Sequence, residues 1–230
     1  MDLRVESRWT GALYLLTIVA GVFAQAFVSG NLVTADPGTT AANLLSHQGL
    51  YQAGFAVYLI EMASQVAATA LFFHLLAPVS RPMATVAAFL GLAGSVIKTF
   101  ARVFFIAPLF LLENGHALPG WGVEQLQSLA FVFLKINDRG AEIALTFFGF
   151  YALVNGYLVF RSTFLPRILG VIGMFGGLGW TSFLYPPLAY RLFPIVVVIA
   201  LIGSLSMIVW LLVKGVDVER WQERARALTP

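Results

Sequence analysis

Apolar residues run through this chain in stretches of roughly 20, each closed by a charge, a proline or a turn dipeptide. The stretches do not alternate polar with apolar, so they read as helices and not as barrel strands. Each is long enough to cross a bilayer core of about 30 Å at about 1.5 Å per residue. The pattern predicts six transmembrane helices, at about 9–28, 51–77, 83–112, 138–160, 166–185 and 192–213. The expected fold class is all-α, a polytopic membrane helix bundle forming a single integral membrane domain over 1–230.

The polar interruptions add detail. Trp9 suits an interfacial anchor, and Gln25 is the one strongly polar side chain in the core of the first helix. Asp36-Pro37-Gly38 reads as a turn. Thr39 or Thr40 then caps a short interfacial helix at about 40–47. The second helix carries Glu61 and Gln65 on one face, with His74 toward its end. In the third, Gly91 and Gly94 permit close packing, Lys98 and Arg102 are one turn apart, and Pro108 is expected to kink or end the helix. A loop with Asn114-Gly115, Pro119-Gly120 and Trp121 follows. Helical character then extends from Val123 to Phe160, about 38 residues or roughly 57 Å, too long for one span. A break near Asn137 to Gly140 is therefore expected, with an interfacial helix at about 123–136. In the fifth helix Gly170, Gly173, Gly176, Gly177 and Gly179 leave one face nearly bare, which suits close packing or, alternatively, a partner subunit or second copy. Pro186-Pro187 is expected to end that helix. Residues 214–230 form a charged, partly amphipathic tail.

Composition supports the membrane reading. The chain is 59% hydrophobic and 11% charged, with mean hydropathy +0.85, where soluble domains carry about 25% charged residues. A net charge of +3 and a pI near 9.4 invite a nucleic-acid partner. The placement of the bases argues against one: they cluster beside the hydrophobic segments, as topology signals do. Cysteine is absent, which excludes disulfides, thiol redox chemistry and Cys-ligated metals. Met1 to Arg8 is short and mixed in charge, so a retained first helix is expected, not a cleaved signal.

Arg4, Arg8, Arg81, Arg161, Arg167, Lys214, Arg220, Arg224 and Arg226 fall at the two ends of the chain and in two alternate turns. Only Arg191 falls clearly in an opposite loop. The positive-inside rule then places both termini in the cytoplasm. Lys98, Arg102, Lys135 and Arg139 remain unexplained by topology.

Counting back from Arg81 and Arg161 at about 1.5 Å per residue puts Glu61, Lys98, Arg102, Asp138, Arg139 and Glu142 about 26 to 35 Å from the cytoplasmic edge. Acids and bases from three helices thus share one level. A charge inside the membrane costs about 3 kcal/mol on insertion scales, and pairing or water access reduces that. The expected site is an outward-facing charged pocket between the second, third and fourth helices, built from Glu61, Gln65, Lys98, Arg102, Asp138, Arg139 and Glu142. It would hold a small polar or anionic ligand or an ion, for transport or sensing. The competing reading is structural: an accessory membrane subunit whose buried ion pairs fix helix register, with Lys135, Asp138 and Arg139 snorkelling to the interface.

Other chemistry finds little support. His47, His74 and His116 do not converge by this topology, so no metal or haem site is expected. No HExxH, GxSxG or phosphate-loop pattern occurs. Lys98 alone is weak ground for a Schiff-base cofactor. No catalytic residue and no cofactor is assigned, and an intramembrane enzyme is the least supported class. A transporter's inverted repeat is not visible either, the Asn137 to Gly140 region being its only broken-helix candidate.

Thr10-Gly11-Ala12-Leu13-Tyr14-Leu15, Thr40-Ala41-Ala42-Asn43-Leu44-Leu45 and Leu165-Pro166-Arg167-Ile168-Leu169-Gly170 resemble a bacterial domain-of-unknown-function family, four-three-eight-six in words. Glu61 and the Asp138-Arg139 step also resemble its polar positions. The resemblance runs from about Trp9 to Gly215. It implies a small multi-pass inner-membrane protein and brings no substrate or catalytic residue.

Overall fold

A computed structural model describes residues 2–113 and 120–227. Asn114-Gly115, His116 and Pro119 lie outside the described residues. Within them every regular element is helical. Helix α1 is Leu3–Leu32 and includes a wide π-helical stretch, Phe23–Ser29. The others are α2 Pro37–Ser46, α3 Gln48–Leu76, α4 Arg81–Glu113, α5 Val123–Arg161, α6 Arg167–Thr181, α7 Pro186–Val213 and α8 Val218–Arg226, with a 3-10 turn, Ser182–Leu184, extending α6. Six of these, α1, α3, α4, α5, α6 with its 3-10 turn, and α7, are long and apolar enough to span a membrane. Phe89, Phe100 and Phe110 are 66 to 72% exposed, as lipid-facing side chains are. The fold is an all-α polytopic bundle.

Several boundaries differ from the sequence reading, each for a local reason. Helix α2 begins at Pro37, not near Thr40. The Asp36 carboxylate accepts the Thr39 N–H at 2.7 Å and Pro37 occupies the first turn, so the turn motif is the helix start itself. Thr40 bonds back to Thr34 instead. Pro186-Pro187 opens α7 as well as closing the segment before it. Pro108 stays inside α4.

The largest difference is α5, one helix of 39 residues and about 58 Å, with no break at Asn137 to Gly140. Gly140 is where a Cβ would come 2.6 Å from the Ala101 Cβ, so a bare backbone is needed for α4 and α5 to touch. The intrinsic cost of glycine in a helix, about 1 kcal/mol, is offset by that approach and by the bond that Asn137 makes, described below.

The Asp36 cap makes a test of its own. Hydrogen bonds from Thr39 hold the Asp36 carboxyl below its ordinary range. A lowered pKa means the cap's contribution is present above the ordinary carboxyl pKa and fades as acid takes the pH through the lowered folded value. Amide-exchange protection at Thr39 and Thr40, taken relative to the intrinsic rate at each pH, should therefore fall on acidification, and Asp36→Ala should show the low protection at neutral pH. Protection insensitive to both would remove the cap.

The chain packs as two compact units. Unit 1 comprises Met1–Leu16, Ser64–Ser95 and Ile143–Pro230, and unit 2 comprises Thr17–Ala63 and Val96–Glu142. Unit 1 has a core of Phe72, Leu75, Leu76, Leu158, Val159 and Leu211. Lipid is as apolar as leucine, so close packing is what holds such helices together. Gly170 and Gly177 bring α6 onto the backbone of α5 at Gly156 and Gly149, while Gly176 and Gly179 face Ala200 and Val196 of α7. The bare face of α6 thus meets helices of its own chain. Helix α8 is tied to unit 1 by the Trp221 indole N–H on the Leu75 carbonyl, 2.9 Å, and by Arg220 on the Thr163 carbonyl, 3.2 Å. His74 pairs with the buried Glu6 carboxylate.

Unit 2 has a core of Val28, Leu32, Leu44, Tyr51, Tyr58 and Phe105. Tyr58 stands edge-on to Phe105 with centroids 5.2 Å apart, and the Tyr51 hydroxyl donates to the Phe105 carbonyl.

Candidate functional site

Unit 2 holds Glu61, Lys98 and Arg102. Glu61 is on α3 and 5% exposed, and Arg102 is on α4 and 2% exposed. Lys98 lies one turn before Arg102. Its ammonium donates to Glu61 Oε1, and the two side chains are 15 and 6% exposed. Gly21 of α1 packs on that carboxylate: a Cβ there would sit 2.7 Å from Oε1. Glu61 Oε2 is buried with no hydrogen-bond partner among the described residues.

Arg102 is held without a carboxylate. Its guanidinium donates from Nη1 to Asn137 Oδ1 at 2.8 Å and lies 3.6 Å from the centre of the Tyr58 ring. Its Nε is buried and has no hydrogen-bond partner among the described residues. Among the described residues no acidic oxygen is within ion-pair distance of it. A desolvated cation–π contact contributes about 2 kcal/mol, and a hydrogen bond to a charged group about 1.5–3 kcal/mol. Together these match the cost of about 3 kcal/mol for a membrane-buried arginine, so the side chain stays in place with its charge unneutralised. Tyr58 is fixed in turn. Its hydroxyl donates to Gln25 Oε1 at 2.9 Å and shares a second contact with the Ser29 hydroxyl at 2.9 Å.

The other expected site residues are placed differently. Asp138 is exposed on α5 and accepts from the Asn137 amide at 3.2 Å. Arg139 pairs with Glu142 at 2.7 Å; the arginine is 62% exposed and the glutamate 16%. Lys135 lies over the Phe131 ring at 4.8 Å. Gln65 falls in unit 1, where its amide donates to Thr69 at 3.2 Å. The buried set is therefore Glu61, Lys98, Arg102 and Asn137, and two cations against one carboxylate leave it net positive. Asn137, Tyr58, Gln25, Ser29 and Gly21 join the site without having been assigned to it from sequence. Gln25, a lone polar side chain in an apolar helix, and Tyr58, three residues before Glu61 on the same helix, carried a readable signal.

A cavity is found in unit 1. Of the residues expected to line a ligand pocket, only Gln65 is on its wall. Among the described residues no cluster of His, Cys, Asp or Glu has the grouping of a metal site.

No curated protein and no solved structure matches the chain. A family model described as Domain of unknown function (DUF4386) matches residues 9–215, and the chain belongs to that family.

Proposed function

We propose that this member of the DUF4386 family, a multi-pass membrane protein, binds a small polar or anionic ligand, or an ion, at the buried charges of unit 2. Such binding would serve transport or sensing at the inner (plasma) membrane, from the extracytoplasmic side. Glu61, Lys98 and Arg102 form the site, with Asn137 and Tyr58 orienting the guanidinium. Asp138, Arg139 and Glu142 set the charge around it. One observation carries the reading: Arg102 is almost wholly buried, has no carboxylate among the described residues, and keeps Nε free. An oxyanion or halide would supply the missing negative charge, and a guanidinium is suited to it. The bases clustered at the opposite ends of the helices support the orientation.

A structural role is the competing reading, favoured by the direct Lys98–Glu61 pair against Gly21. One experiment separates the two. The thermal midpoint of the protein in lipid nanodiscs is followed while acetate, phosphate or chloride is titrated at constant ionic strength. A site filled to a hundred times its Kd stabilises by about 2.7 kcal/mol, so at least one anion should give a saturable rise. Arg102→Gln should abolish it. Glu61→Gln, which frees Lys98, should tighten it by about tenfold, near 1.4 kcal/mol. No saturable rise in the wild type, or the same rise in both variants, leaves the charges structural.

A further inference from the structure

We propose that the cavity of unit 1 binds a small aromatic or alicyclic molecule carrying one hydrogen-bonding group, of the phenol type. The site is separate in residues from the charged group of unit 2 and does not depend on it.

The cavity measures about 140 Å³. An engineered apolar cavity of about 150 Å³ takes up benzene, so a single six-membered ring is the size that fits. The space exists because side chains are missing from its wall. Gly173 and Gly176 of α6, Gly156 of α5 and Gly203 of α7 all line it. A Cβ added at Gly173 would meet nothing nearer than 3.8 Å. Interiors are normally filled as densely as organic crystals, so this is a gap left open between helices that otherwise touch backbone to backbone. Phe148, Ile172 and Trp180 make most of the wall apolar, which suits a ring.

The polar groups on the wall are few, and they differ in what they already bond. The Tyr14 and Ser204 hydroxyls bond each other at 2.6 Å. Gln65 gives its amide to Thr69. Tyr151 is the exception: it is 9% exposed, and its buried hydroxyl makes no hydrogen bond of full geometry among the described residues, with Thr69 and Asn155 as the polar side chains beside it. A buried hydroxyl seeks a partner strongly because leaving it unmade is costly. A mostly apolar chamber with one unsatisfied hydroxyl is the complement of a ring bearing one hydroxyl or carbonyl. The ring fills the gap and its polar group bonds Tyr151. The nearby Asn155 amide, also on the wall, can take the ligand's second hydrogen-bonding position.

The test uses the whole protein in lipid nanodiscs, with para-fluorophenol and fluorobenzene as probes followed by fluorine NMR. Para-fluorophenol should show saturable binding above the partitioning measured in empty nanodiscs. Tyr151→Phe should weaken that binding by about tenfold and leave fluorobenzene within about twofold. Gly173→Leu, which places a side chain in the open space, should abolish binding of both probes. If Gly173→Leu does not fold, the ratio of the two probes in Tyr151→Phe decides alone, since that change removes one oxygen and leaves the ring packing in place. Partitioning without saturation in the wild type would mean a cavity holding water or nothing. An unchanged phenol-to-benzene ratio in Tyr151→Phe would mean no recognition by that hydroxyl. Either result overturns the proposal.

Discussion

Lys98→Ala is expected to destabilise the protein by about 3 kcal/mol, because it strands the Glu61 carboxylate in a buried position with neither oxygen satisfied. Breaking a buried pair typically costs 3–5 kcal/mol, and the partial exposure of the lysine, 15%, places this case at the low end. The double change Glu61→Leu with Lys98→Met should recover most of the loss, since apolar residues of similar volume replace a buried ion pair at little net cost. Steric-trapping or mixed-micelle unfolding of the wild type, Lys98→Ala and the double variant measures both quantities. A single-mutant loss below about 0.5 kcal/mol, the size of an exposed pair, would show that water reaches the carboxylate freely. That outcome would move the pair from the interior to the surface.

Gly170→Val should cost about 3 kcal/mol or prevent folding, the upper range for overpacking. A Cβ at position 170 would collide with the Gly156 carbonyl and lie 2.5 Å from the Phe160 nitrogen. Both are backbone atoms of α5 and cannot turn aside as a side chain can. Gly173→Ala is the control. It lies one turn further along the same helix, where the nearest atom is 3.8 Å away. Alanine is favoured over glycine in a helix by about 1 kcal/mol, so this variant should be neutral or slightly more stable. Equal losses at the two positions would refute the close α5–α6 approach.

The contrast shows what was legible in the sequence. The sequence put Gly170, Gly173, Gly176, Gly177 and Gly179 on one bare face without distinguishing among them. In the structure Gly170 and Gly177 make the tight contacts, while Gly173 borders a gap. A pattern of small residues says that something approaches, not which residue it approaches. The six spans were readable because a bilayer demands long apolar runs. The ends were less so, since Asp36-Pro37 and Pro186-Pro187 serve equally as turn and as helix start. The continuity of α5 was hidden because Asn137, Asp138 and Gly140 are each poor helix formers alone. Their compensation comes from Arg102 and Ala101, about 35 residues away along the chain, and local propensity contains no trace of either. The same blindness affected the site. Counting residues set Glu61, Lys98 and Arg102 at one height, and Lys98 does meet Glu61. The rotation of each helix about its axis is not in the count, and it turned Asp138 and Arg139 outward and gave Arg102 an amide and a ring in place of an acid.

The wide stretch Phe23–Ser29 bears on how that ring is kept in place. Gly21, Gln25 and Ser29 stand four apart, and all three address α3, the first at Glu61 and the others at Tyr58. In an ordinary α-helix each four-residue step overshoots a full revolution by about 40°, so by the third contact the face would have precessed about 80°. Loosening the coil to more residues per revolution cancels part of that drift. One helix can then keep a bare spot under the carboxylate and two clasps on the tyrosine, all along a single straight seam.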